Sequence, residues 1–365
     1  TPCGTLFPYT TLFRSGMIVT SIHDPAIFAP ARFDENDQYA GRIAERLNVI
    51  RHRHLLVVDD TGGGSIIARE IASNLRQNSD SRTQMIANAV VTPKRCLRLP
   101  VDPNRRSRIA QWIEEPGSAE SVALAGHGGV DVCVVDRETM EAIEAEEISL
   151  DRITTLAQYH TTDAARLETI GQGGAAVGTL TAQQFLAQIV QPVMYWAKKL
   201  TIIDKMISRA AFGDSSDPTG TPSSNWPKFD QTLKAVFDEW DKGPFAQDDR
   251  LTVITDSASH IRRDGDCILG NDLAAELAQR LSIPTHRVRV ILKRPENVRA
   301  INHDRYLVTN HGFCIGITGG FDLIDRTNQK CGVSDVFLRQ PQQQDDIIVR
   351  LINSARDTAG IFPAA

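Results

Sequence analysis

The chain has 365 residues, 40 of them Lys or Arg and 45 Asp or Glu, for a formal charge of −5. That length exceeds one ordinary hydrophobic core and predicts two domains, and the mildly acidic balance excludes a global electrostatic footprint for nucleic acid while leaving room for a local basic patch. No apolar run approaches the roughly 20 residues of a membrane span and no secretory signal is evident, so no integral membrane segment is expected and the cytoplasm is the expected location.

At the start, TLFPYTTLFRS (5–15) lacks the charged leader and long apolar run of a signal peptide, and Pro8, Thr10 and Thr11 interrupt it. Residue for residue it resembles one translated frame of a common sequencing adapter, so residues 1–16 are read as an artefactual or disordered leader. Without Arg14 the charge becomes −6. The five later cysteines, Cys96, Cys133, Cys267, Cys314 and Cys331, are dispersed with no CxxC pair, which fits neither a zinc site nor a disulfide framework.

From Met17 to residue 170, short β-branched runs alternate with helical patterns. IVTSI (18–22), HLLVVDD (54–60) and VDVCVVD (130–136) read as strands, and AGRIAERLNVI (40–50), SIIAREIASNL (65–75) and RETMEAIEAEE (137–147) as helices. AVVT (89–92) and RCLRLPV (95–101) are further strand candidates. Such alternation predicts an α/β domain built on a mostly parallel sheet with flanking helices.

Asp24, the adjacent Asp59 and Asp60, and Asp136 fall at the carboxyl ends of these strands, the edge where open α/β sheets bind ligands, and Glu70 sits about a turn into the following helix. Converging carboxylates suit a hard cation, Mg or Mn. The same aspartates equally suit helix N-caps. The arrangement looks similar to PIN-like nuclease domains, a resemblance that implies metal-dependent RNA cleavage in this half. TGGGS (61–65) has neither the lysine nor the spacing of a phosphate loop and reads as a turn. His127 and the basic run NRRSR (104–108) read as turn and solvated loop, with nucleic-acid contact the alternative for the latter.

GQGGAAVG (171–178) predicts a Gly-rich linker over 171–179, followed by a second α/β domain over 180–365. There LTAQQFLAQIVQPVMYWAKKL (180–200) reads as one long helix running into the apolar TIID (201–204), and 213–227 as a surface loop. KFDQTLKAVFDEW (228–240) and NDLAAELAQRL (271–281) read as helices, RLTVIT (250–255) and RVRVIL (287–292) as strands. DRYLVT and FCIGIT flank Asn310-His311-Gly312, the chemistry of a hairpin turn. Strand alternation puts His303 and Arg305 on one face, an imidazole and a guanidinium two residues apart. That pair suits phosphate: the histidine can attack phosphorus or donate a proton, and the arginine can hold two oxygens. Gly319 and Gly320 allow close approach of backbone or ligand beyond the hairpin.

This window resembles the phospholipase D-like superfamily, closest to the His-Asp-Arg variant found at the C-terminus of microtubule-interacting-and-trafficking domain proteins and in bacterial relatives. His303 matches the family's phosphorylated histidine, Arg305 stands where lysine is usual, Asn310 where Asp is usual, and Gly319-Gly320 near the downstream small-residue step. The resemblance implies a catalytic set of His303, Arg305 and Asn310 and phosphate binding by Arg305, Gly319 and Gly320, with no metal. Hydrolysis would need two motifs, hence a homodimer acting on nucleic acid or another phosphodiester. The trafficking relatives imply instead a non-catalytic binding or scaffold module. His260 in HIRR (260–263) supplies a second His-x-Arg in a charged turn, and an ion pair of the hairpin with Asp322 or Asp325 is the purely structural alternative.

Overall fold

The computed structural model describes residues 18–29, 37–60, 64–77, 96–100, 131–138, 140–141, 153–170, 175–176, 180–212, 223–224, 226–243, 246, 250–256, 270–293, 305–318, 320–324 and 335–339. The chain divides into two compact units, one over Gly16–Gln172 and one from Gly173 onward. Each carries its own sheet. Among the described residues no helix is long and apolar enough to cross a membrane.

In the N-terminal unit, β1 (Val19–His23), β2 (His54–Asp60), β3 (Cys96–Pro100), β4 (Val132–Val135) and β5 (Ile153–Thr155) form a sheet in the order β3-β2-β1-β4-β5. All four pairings are parallel. Valine, isoleucine and leucine dominate these strands because both faces of a parallel sheet are covered. Two helices show how the sequence pattern selects the packed face: α1 (Asp37–Arg53) buries Ile43, Leu47 and Ile50, and α2 (Ile66–Arg76) buries Ile67, Ile71 and Leu75. A third, α3 (Asp163–Ile170), contributes Ala164 to the core. The strand order reverses between β1 and β4, where the Asp24 amide donates to the Val134 carbonyl at 2.8 Å.

The second unit holds a seven-stranded sheet made of β6 (Ala175–Ala176), β7 (Leu200–Ile203), β8 (Leu251–Asp256), β9 (Val288–Lys293), β10 (Arg305–Thr309), β11 (Cys314–Ile317) and β12 (Asp335–Arg339). Their order is β6-β12-β11-β10-β7-β8-β9. β7, β8 and β9 are parallel, while β10 runs against β7 and every strand beyond it alternates. Tyr306 and Val308 join Ile203, Ile254, Ile291 and Cys314 in one buried cluster across five strands. Among the helices described in this unit, the longest, α7 (Trp226–Asp241), buries Trp226, Phe229, Leu233, Val236, Phe237 and Trp240 along one stripe, and α8 (Gly270–Leu281) buries Leu273, Leu277 and Leu281.

Several sequence expectations are refined. Within 171–178, Ala175 and Ala176 pair with β12 as an edge strand, because ladder bonds use only backbone groups and need no large side chain. Residues 180–200 are not one regular helix but α4 (Ala182–Phe185), a π-helical turn (Leu186–Val190) and α5 (Gln191–Met194). The Gln191 amide donates to the Leu186 carbonyl, five residues back. Next to it Pro192 has no amide to donate, and its ring would press on the carbonyl of residue 188 in a regular helix, so the turn widens. β5, α3, β12 and the short helix α6 (Ile207–Phe212) have no counterpart among the sequence expectations. Of 137–147, residues 137–138 and 140–141 are helical; 89–92 lies outside the described residues.

Candidate functional site

Because β7, β8 and β9 run parallel and β10 runs against them, the carboxyl ends of three strands and the start of the fourth share one edge of the sheet. Each strand ends there in a charged residue. Asp204 follows β7, Asp256 closes β8, Lys293 closes β9 and Arg305 opens β10, and all four are buried. Arg305 Nε donates to Asp204 Oδ1 at 2.8 Å. Asp204 also accepts from the Met206 amide at 2.8 Å and the Phe321 amide at 3.1 Å. Burial pushes the Asp204 carboxyl above its ordinary range, against the pull of Arg305 and the two amides. Next along the edge, Arg209 donates to Asp256 Oδ2 at 3.0 Å, and Lys293 is the register partner of Asp256.

Gly320 completes this corner. Its φ is +103°, a conformation that favours glycine, and a Cβ placed on it would lie 3.0 Å from Asp322 Oδ1, 3.6 Å from Asp204 Oδ2 and 3.9 Å from Arg305 Cγ. The backbone here thus closes over the ion pair. Asn310 lies at the other end of the hairpin, a five-residue strand away from Arg305, or roughly 15 Å. Its Oδ1 accepts from the Lys198 and Lys199 amides at 2.9 and 3.1 Å, and its own amide donates to the Lys199 carbonyl. The described geometry therefore joins Arg305 with Gly320 and separates both from Asn310, which holds the turn. Arg305 pairs with Asp204, which follows a strand 101 positions earlier in the chain and is a partner the sequence reading did not name. His303, Gly319, Asp325 and the HIRR segment lie outside the described residues.

Two of the N-terminal carboxylates, Asp59 and Asp24, act on helix starts. Asp59 is buried and accepts from the Ser65 hydroxyl at 2.7 Å and from the Ile66 and Ile67 amides at 2.8 and 2.9 Å. Asp24 accepts from the Ala26 amide at 2.9 Å and caps the single turn Pro25–Phe28. Asp136 precedes the short helical stretch after β4, its carbonyl accepting from the Met140 amide. Glu70 is exposed on α2. Among the described residues no group of three or more His, Cys, Asp or Glu side chains is arranged to hold a metal ion. The side chain of Asp60, His127 and the run 104–108 lie outside them.

A second polar centre carries residues that the sequence reading passed over. His54, which opens β2 ahead of four apolar residues, and Ser21 share one face of the N-terminal sheet beneath α1 and α3. His54 Nε2 lies 2.6 Å from Glu168 Oε1 and Nδ1 lies 2.7 Å from Ser21 Oγ. In the tautomer with the proton on Nε2 the ring donates to Glu168 and Nδ1 accepts from the serine hydroxyl. Arg46 donates through one terminal nitrogen to Glu168 Oε1 at 2.8 Å and brings the other to 2.8 Å from His54 Nε2. Its guanidinium stacks 3.6 Å above the Tyr159 ring, and the Tyr159 hydroxyl donates to the same Glu168 oxygen. Burial and the Arg46 charge push the His54 pKa down to about 4. Burial opposes ionisation of Glu168, but the hydrogen bond and charge of His54, the charge of Arg46 and the Tyr159 hydroxyl bring it to about 2. His23, fully buried nearby, has no hydrogen-bond partner for either ring nitrogen among the described residues. The readable signal was a polar residue opening a buried strand, together with Arg42 and Arg46 one helical turn apart.

No protein-family model matches the chain, and neither a curated protein nor a solved structure matches it.

Proposed function

We propose that the second unit is a phospholipase D-like interaction module that binds a phosphate-bearing ligand at the carboxyl edge of β7, β8 and β9 without hydrolysing it. The observation that carries this reading is the buried Arg305–Asp204 pair. An arginine that serves phosphoryl transfer must direct its charge to the phosphoryl oxygens as charge develops there. Here that charge is balanced inside the fold by a carboxylate with three donors. Arg305 then shapes and rigidifies the edge, and ligand contact falls to the residues around it. Location supports the same edge, since ligands of open α/β sheets bind beyond the carboxyl ends of the strands.

A second reading, phosphodiester hydrolysis by a homodimer with His303 as nucleophile and general acid, draws support from the gathering of Asp204, Asp256, Lys293 and Arg305 at that same edge. One experiment separates them. The full chain, His303→Ala and Asp59→Ala, each checked for folding by circular dichroism, are incubated with labelled single- and double-stranded DNA and RNA in EDTA and in manganese, and binding is followed by fluorescence anisotropy. The binding module retains the nucleic acid intact and loses affinity in His303→Ala. EDTA-resistant cleavage abolished in His303→Ala would replace it with the hydrolytic reading, and manganese-dependent cleavage lost only in Asp59→Ala would move the chemistry to the N-terminal unit.

A further inference from the structure

Between α1, α3 and the turn after β5 lies a cavity of about 460 Å³ in the N-terminal unit, within the range of roughly 300–1,000 Å³ usual for small-molecule sites. Arg42, Glu45 and Arg46 line it from α1, Tyr159 and His160 from the turn, and Glu168 from α3. Val49, Leu156 and Ala165 add an apolar wall. The charges divide by depth. Arg42, Glu45 and His160 are exposed at the mouth, whereas Arg46 and Tyr159 are buried and the Glu168 side chain is 12% exposed.

Glu168 is the asymmetric member of this set. Its Oε1 takes all three donors, Arg46, His54 and Tyr159, and among the described residues none falls on Oε2. A carboxylate has acceptor sites on both oxygens, and one held ionised and oriented through Oε1 presents the other to whatever enters. A simple anion entering the cavity would meet Glu45 and Glu168, and a simple cation would meet Arg42 and Arg46. Arg46 is already paired with Glu168 Oε1, so a ligand carrying both signs, its positive end at Glu168 Oε2 and its negative end at Arg42, meets an opposite charge at each end. We infer that this cavity binds a free α-amino acid with an apolar side chain, its ammonium on Glu168 Oε2, its carboxylate at Arg42, and its side chain against Val49, Leu156 and Ala165. Tyr159, His54 and Ser21 act as positioning residues that keep the Glu168 carboxylate fixed.

The test is isothermal titration calorimetry of the full chain with each of the twenty proteinogenic α-amino acids, followed by the N-acetyl and C-amide forms of any that binds. Saturable heat is expected from an apolar amino acid, with binding at least tenfold weaker once either charge is removed. Arg42→Ala, at an exposed position outside the buried network, is expected to leave the fold intact and weaken binding at least tenfold. Glu168→Gln, checked for folding, is expected to abolish it. The inference is overturned if no amino acid gives heat at millimolar concentration with folded protein, if the N-acetyl form binds as well as the free one, or if folded Arg42→Ala binds unchanged.

Discussion

At the scale of single residues, the two buried ion networks respond differently to perturbation. Removing one partner of a desolvated pair strands the other charge in the interior, at a cost of about 3–5 kcal/mol. Arg305→Ala and Asp204→Ala are therefore each expected to lower the stability of the second unit by about that amount in urea titrations, and the double variant is expected to be less destabilised than the sum of the two. Additive losses would show that the pair is not coupled. The His54 network predicts a pH dependence instead. The folded His54 pKa of about 4 lies below the ordinary 6.5, so the unfolded chain takes the proton first. Stability is then complete above pH 6.5 and falls as the pH drops towards 4, by roughly 3 kcal/mol for a shift of this size. His23, whose pKa burial also lowers, acts in the same direction, and Glu168 adds a further loss below pH 4.5. Thermal unfolding between pH 7 and 4 is expected to show this slope, flattened in His54→Gln; an unchanged slope in that variant would refute the assignment. Asp204 shows why such partners escape sequence reading. Nothing local in TIID distinguishes an ordinary strand-end aspartate from one that meets an arginine 101 positions later.

Elements were legible where a period repeats and obscure where it does not. The stripe of Ile43, Leu47 and Ile50 in α1 and the alternation on either side of Asn310-His311-Gly312 announce a helix and a hairpin, and both are present. Gly312 takes a φ of +78° in that turn, as its chemistry implied. The π-turn was hidden because Pro192 signals an interruption but not how the chain absorbs it, and β5 escaped notice because three residues are too few for a period. The aspartates at strand ends posed a choice between ligand and cap that only geometry decides for each one. At Asp59, with two helix amides and the Ser65 hydroxyl on one carboxylate, the local role is to join β2 to α2. Asp59→Ala is accordingly expected to destabilise the N-terminal unit by about 1–2 kcal/mol in chemical denaturation, the usual range for a lost cap. A stability unchanged within a few tenths would show that the cap is dispensable.

At the scale of the molecule, two units with separate sheets and separate cores predict two unfolding transitions. In scanning calorimetry Arg305→Ala is expected to lower one transition and Asp59→Ala the other, while a single transition shifted equally by both would show that the units unfold as one. The mixed sheet also imposes an order of events on the growing chain. β7 ends at Ile203, but its neighbour β10 begins only at Arg305, and the parallel partner β8 covers the opposite side in between. At ordinary rates of synthesis, about 5–20 residues per second, the Leu200–Ile203 edge waits some seconds for its second neighbour. During that interval an apolar strand in the middle of the finished sheet is a temporary border, open to any other extended chain. Ribosomes paused shortly before residue 305 would thus hold out a sticky, half-built sheet, and the cell's means of shielding nascent chains becomes part of how this protein reaches its native state.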